Sequence, residues 1–113
     1  MGISNQDVRV EQVAVADTTQ FTVETGTYAE IVHSSVCNES AAAVTFSFYA
    51  PNPTAAAGAT NYVIKDKTIL AGQTDLLPEL LGKRYAAGTV FKTTAGTATA
   101  LNLHMSLVIR TVN

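Results

Sequence analysis

The 113 residues make one domain, large enough to bury a core without metal or disulfide staples. A hydrophobic share of 47% and a charged share of 14% exclude a disordered chain. A net charge of −2, with seven Lys and Arg scattered from Arg9 to Arg110, excludes a nucleic-acid platform built on a basic stripe.

Read in order, the chain opens with a short polar stretch, Met1 to Gln6, expected to be an N-terminal arm (residues 1–6) ahead of the domain proper (residues 7–113). The opening MGISNQDVRV lacks a basic-then-apolar leader. No apolar run approaches the roughly 20 residues of a membrane helix, so synthesis in a cytoplasm is expected. From Asp7 the apolar positions are Val8 and Val10, then Val13 and Val15, a slip at Glu11-Gln12 that predicts a bulge or a break. Asp17-Thr18-Thr19 is a turn cluster, and Phe21 and Val23 then share one face of a strand. Tyr28 to Asn38 predicts a long strand with Ile31, His33, Ser35 and Cys37 on one side. Because Ala29, Val32 and Val36 leave neither face purely polar, cover on both faces is expected.

Asn38-Glu39-Ser40 opens a hairpin loop; it matches a glycosylation acceptor, which without secretion is a chance match. Val44, Phe46 and Phe48 alternate with polar residues, which puts both phenylalanines in the core. Pro51 and Pro53 end that strand, because proline cannot donate to a ladder, and Pro51 to Thr60 is a loop. Tyr62 to Leu70 is the next strand, bulged or turned at Lys65-Asp66-Lys67, and Ala71-Gly72 turns it back. Leu76, Leu77, Leu80 and Leu81 surround Pro78, which suits the start of a helical turn ended by Gly82; they predict a core plug or a lid over one end of the sandwich. After a second turn at Tyr85 to Thr89 come a strand at Val90 to Thr94 and a long one within Ala98 to Val112. In the latter Leu101, Leu103, Met105, Leu107 and Ile109 alternate strictly. Seven or eight short strands with no helix-length period predict an all-β fold: one antiparallel β-sandwich of jelly-roll or Greek-key type, with a short helical turn near residues 78–81.

Chemistry is hard to find in this sequence. Cys37 is the only cysteine, which excludes an internal disulfide, and its place in an apolar-alternating run reads as a buried small hydrophobe. The two histidines, His33 and His104, lie in separate strands that could bring them together only by pairing. Glu24, Glu30, Glu39, Asp75 and Glu79 have no spacing that pairs carboxylates, and no Gly-rich phosphate loop occurs. The expectation is a protein with no catalytic residues, no metal and no cofactor.

The segments Ala29-Glu30-Ile31-Val32-His33-Ser34, Cys37-Asn38 and Val44-Thr45-Phe46-Ser47-Phe48 are followed by Leu70-Ala71-Gly72, Leu80-Leu81-Gly82 and Ala87-Gly88-Thr89. With the closing strand from Leu101 to Val108, this series resembles small β-sandwich virion proteins of tailed bacteriophages. The resemblance implies a non-enzymatic structural subunit located in the virion. Its role would be capsid decoration or cementing, or alternatively a neck or tail adaptor. Its partners would be further copies of itself, as a trimer or ring, and other virion proteins such as a major capsid or tail protein, with no nucleic acid and no membrane. Contacts between subunits are then expected from Met1, Gly2, Ile3, Ser4 and Asn5, from Pro51, Asn52 and Pro53, and from Lys83 and Arg84. A carbohydrate- or receptor-binding β-sandwich is a further alternative; with no Trp in the chain, it would have to use Tyr28, Tyr49, Tyr62 or Tyr85.

Overall fold

A computed structural model describes residues 2–51 and 61–111. The strand segments are β1 (Ile3–Val10), β2 (Thr18–Thr22), β3 (Thr27–Asn38), β4 (Val44–Tyr49), β5 (Tyr62–Ile69), β6 (Thr74–Asp75), β7 (Arg84–Tyr85), β8 (Val90–Ala95) and β9 (Leu101–Thr111). A single 3-10 turn, Pro78–Leu80, separates β6 from β7. Both of these two-residue pieces pair with β3, so they count as one interrupted strand, and the fold has eight.

Sheet I has the order β1-β9-β3 with β6 and β7 at its edge, and sheet II the order β2-β8-β4-β5. The pairing is nested. The first strand pairs with the last, the second with the second-last, the third with the interrupted one, and the fourth with the fifth. Successive pairs alternate between the sheets, as a long hairpin does when it is rolled up. This winding makes the sandwich a jelly roll.

β9 is central to sheet I, and its pattern explains why. Leu101, Leu103, Met105 and Leu107 are all buried, while Asn102, His104 and Ser106 face outward. Burying each such side chain is worth about 1.5–3 kcal/mol, and a one-residue slip would move every one of them to the outer face. From sheet II, Phe46, Phe48 and Phe91 meet them in the core, with the Phe48 and Phe91 rings 5.6 Å apart.

Three expectations change. The stretch Ile3–Gln6 is not a free arm but the first half of β1, in continuous register with β9 from Ile3↔Arg110 to Val10↔Leu103. Backbone pairing needs no apolar side chains, and β9 is long enough to offer partners to all eight residues of β1. In β3, a register shift between Ile31 and His33 reverses the faces. Ile31 points inward, whereas His33, Ser35 and Cys37 lie on the outer face, and Ser34, Val36 and Asn38 are buried instead. Apolar residues on both sides of this strand therefore reflect a bulge that leaves Val32 48% exposed, not cover on both faces, and Cys37 is half-buried rather than a core residue.

The leucine cluster, finally, is not a lid over an end. Its 3-10 turn packs against β3 and β5, which places it along one long flank between the two sheets. The slip at Glu11-Gln12 is a bulge, with Gln12 at φ 55 donating its N–H to Asn102 Oδ1 and Val13 donating to the Leu101 carbonyl.

Candidate assembly surface

The residues capable of chemistry do not converge. β3 and β9 do pair, but the register sets His104 opposite Ser35 and His33 opposite Ser106. Among the described residues no group of three or more His, Cys, Asp or Glu is placed to hold a metal ion. A shallow concavity of 360 Å³ on the outer face of sheet I is lined by Arg9, Glu11, Ser35, Cys37, Asn102 and His104, among others. The His104 Nε2 there has no hydrogen-bond partner among the described residues. Asp75 and Glu79 do come together, but on Lys67, whose ammonium lies 3.0 Å from Asp75 and 2.9 Å from Glu79. That arrangement is a clamp between carboxylates and a cation.

The clamp belongs to the closed flank. Lys67 comes from the edge of sheet II, Asp75 from the edge of sheet I, and Glu79 from the turn between β6 and β7. Burial by itself would raise the Asp75 carboxyl; the Leu77 N–H, at 2.8 Å, and Lys67 outweigh it and hold the group below its ordinary value. For Lys67 burial alone would lower the pKa, but the bonds to Glu79 and Asp75 prevail and raise it. Beneath the clamp Leu77 and Leu80 are fully buried, while Leu76 and Leu81 are 60% and 40% exposed. Leu77 reaches its site only in a left-handed conformation (φ 48, ψ 58), a strain offset by its burial and by the bond to Asp75. The Ser34 hydroxyl donates to the Leu76 carbonyl at 2.8 Å and ties this loop to β3.

At one end of the flank Asn38 is wholly buried and uses every polar atom of its amide. Its Nδ2 donates to the carbonyls of Ala42 (2.8 Å) and Ile69 (2.9 Å), and its Oδ1 accepts from the backbone and hydroxyl of Ser40. The Asn-x-Ser pattern therefore serves an Asx-type turn, with its amide nitrogen inside the protein.

The opposite flank, between β1 and β2, has no counterpart of this plug and clamp among the described residues. The Thr111 N–H donates to the Gly2 carbonyl at 2.9 Å, which sets the parity of the β1 ladder. Even-numbered residues of β1 bond to β9, so Ile3, Asn5, Asp7 and Arg9 turn their N–H and C=O groups outward. Among the described residues no backbone group meets them; the Asp7 carbonyl accepts from the neighbouring Gln6 side chain at 3.3 Å.

No family model matches the chain, and no curated protein does. Among solved structures, the chain is similar to a protein from a study of Bacillus endospore appendages, described there as a family of disulfide-linked pili. The TM-score is 0.53 at 12% identity, over 98% of this chain and 89% of that one. The likeness shows a shared fold. A chain in a structure of infectious bursal disease virus, Gx strain, matches with TM-score 0.47 at 18% identity, and this chain spans 32% of its length.

The residues singled out for subunit contacts do not form one patch. Gly2, Ile3, Ser4 and Asn5 lie exposed along the open edge, whereas Pro51 is buried and its carbonyl accepts from Val90. Met1, Asn52 and Pro53 lie outside the described residues. Lys83 and Arg84 are exposed at the far edge of sheet I, where the Arg84 guanidinium sits 5.2 Å from the centre of the Tyr28 ring. Arg84 shares a cross-strand row with Glu30, Val108 and Asn5, so the two groups are about 14 Å apart, three strand spacings across one face. The other tyrosines are also engaged. Tyr49 and Tyr62 stack at 4.4 Å with their hydroxyls 3.1 Å apart, a bond that raises the Tyr62 pKa, and burial raises that of Tyr85, packed edge-on to Phe91.

Asp7, Arg9 and Lys67 carry no local signal in the sequence. Their importance depends on strands distant in the chain. Only Asn38 had one, as an Asn at a strand end followed two residues later by Ser.

Proposed function

We propose that this chain is a non-enzymatic structural subunit that works by repeated protein–protein contacts, largely with copies of itself. The observation that carries this reading is a jelly roll with one flank locked and the other presenting an eight-residue edge strand whose outward backbone groups meet no backbone partner among the described residues. A low-charge surface and a fold shared with a pilus-associated protein support it. Within that reading, the resemblance to small virion proteins of tailed phages favours capsid decoration or cementing, with a neck or tail adaptor as the other placement. If the assembly is instead an appendage like that of the solved neighbour, disulfides among these 113 residues do not supply its linkage. One cysteine in the 113 residues can join subunits only in pairs, and disulfides between these residues cannot form a continuous chain. A glycan-binding role is disfavoured because Tyr28, Tyr49, Tyr62 and Tyr85 are all taken up by neighbours within the fold.

Light scattering of the purified chain across a dilution series, with electron microscopy of the concentrated sample, tests this reading. Dimers, rings or filaments that persist on dilution are the expected result. A monomer at every concentration, with no particles in micrographs, overturns self-assembly.

A further inference from the structure

We propose that β1 is a dimerisation edge, pairing antiparallel with β1 of a second copy about a two-fold axis at Val8, so that Asp7 of each copy faces Arg9 of the other. The inference rests on the self-assembly reading above and names its surface and register.

Among the described residues, this edge alone carries no bulge, break or register shift. Natural sheets blunt their edges with bulges, charges, short strands or covering loops. β5 bulges at Asp66 (φ 47) between Lys65 and Lys67, and the β6–β7 edge is broken by the leucine turn. β2 is five residues long, with a register shift between Thr19 and Phe21. β1 runs eight residues with no proline and no shift. A strand added here would meet outward N–H and C=O groups at Ile3, Asn5, Asp7 and Arg9.

Charge selects the register. In a two-fold antiparallel pair each outward-facing residue must meet another outward-facing residue, so the axis passes through a residue and not between two. An axis at Asp7 sets two carboxylates against each other, and one at Arg9 sets two guanidinium groups together. At Gln6 it leaves Asp7 facing Asn5 and Arg9 facing Ile3; at Asn5, Asp7 faces Ile3. Among pairings confined to the strand residues Ile3–Val10, only the axis at Val8 sets opposite charges against each other, and it does so twice; an axis at Val10 would set Arg9 against Glu11, which lies past the end of the strand. The charges are available: Arg9 has no ion partner among the described residues, and Asp7 holds only the Ser106 hydroxyl at 3.3 Å. The pairing joins β3-β9-β1 of both copies into one continuous sheet.

The test uses the full chain and charge reversal. Asp7→Arg and Arg9→Asp, each alone, bring like charges together and should weaken dimerisation by about tenfold or more in sedimentation or light scattering. An equimolar mixture of the two variants restores opposite pairs and should recover the dimer, while unchanged melting of each dilute variant shows that both fold. In a Cys37→Ser background, Val8→Cys should oxidise to a covalent dimer, since directly opposed residues that do not exchange hydrogen bonds lie about 4.5 Å apart at Cα, within disulfide reach. Asn5→Cys should not. Assembly that neither reversal weakens, or a mixture no better than its components, overturns the β1 pairing and leaves the structural-subunit reading intact. A wild-type monomer at every concentration removes both.

Discussion

The two flanks of this sandwich solve the same problem in opposite ways. Between β5 and the β6–β7 strand, the gap is filled by Leu77 and Leu80, clamped by Lys67 on Asp75 and Glu79, and anchored at one end by Asn38. Between β1 and β2 nothing comparable is found among the described residues, and the outward backbone groups of β1 meet no other backbone there. Stability is thus concentrated on one side, and the other is left available for contact. Substitutions on the closed flank should change unfolding free energy, and those on the open flank should change association.

The sharpest break would come from Leu80→Ala. A fully buried leucine loses about 2–5 kcal/mol on truncation, so the urea midpoint should fall steeply, while Leu76→Ser, on the exposed side of the same loop, should stay within about 0.5 kcal/mol. If both variants melted alike, the leucine turn would not be closing the flank. Asn38→Ala comes next, at about 2–3 kcal/mol, because the Ile69 carbonyl would lose its side-chain donor, the Ala42 carbonyl would keep only the Ser40 hydroxyl, and the Ser40 N–H would lose its acceptor; chemical denaturation measures it.

The ion clamp contributes less and is read best through pH. Asp75 titrates below its ordinary value, so its stabilisation is complete above pH about 4 and is lost as the pH falls through the lowered value. Lys67 titrates above its ordinary value, so its contribution holds through neutral pH and is lost only on strongly alkaline titration past the raised value. Asp75→Asn should therefore flatten the fall of the urea midpoint as the pH drops below about 4. Lys67→Met should cost at most about 1 kcal/mol at pH 7, since the pair is partly solvated. Smallest of all is Arg9→Asp, expected to leave the melting of a dilute sample within about 0.5 kcal/mol while altering association. A large loss there would mean that the open edge also supports the fold.

Local pattern revealed most of the strands and little of their arrangement. The alternation of β9, the inward Phe46 and Phe48, the bulge at Gln12 and the turn at Gly72 were all legible, because each is a property of neighbouring residues. The faces of β3 were not: one extra residue at Val32 exchanges every position beyond it, and composition cannot reveal which strand a bulge opposes. Nor was the strand status of Ile3–Gln6 legible, since its partner lies about a hundred residues away. The leucines were recognisable as a plug, but which of them turn inward depends on the left-handed Leu77 and on an acceptor in β6. The contact residues expected from the sequence stop at Asn5 on β1 and omit Asp7 and Arg9, because the parity that exposes those two backbones comes from pairing.

Nested pairing also sets a timetable. β9 lies between β1 and β3, so sheet I has no centre until residues 101–111 have left the ribosome. Until then the first strand waits without a neighbour, and rapid local hairpins can form only between β4 and β5. Pairings of such long sequence separation fold in milliseconds to seconds rather than microseconds. A nascent chain therefore carries β1 without its ladder partner for as long as residues 11–100 are being made.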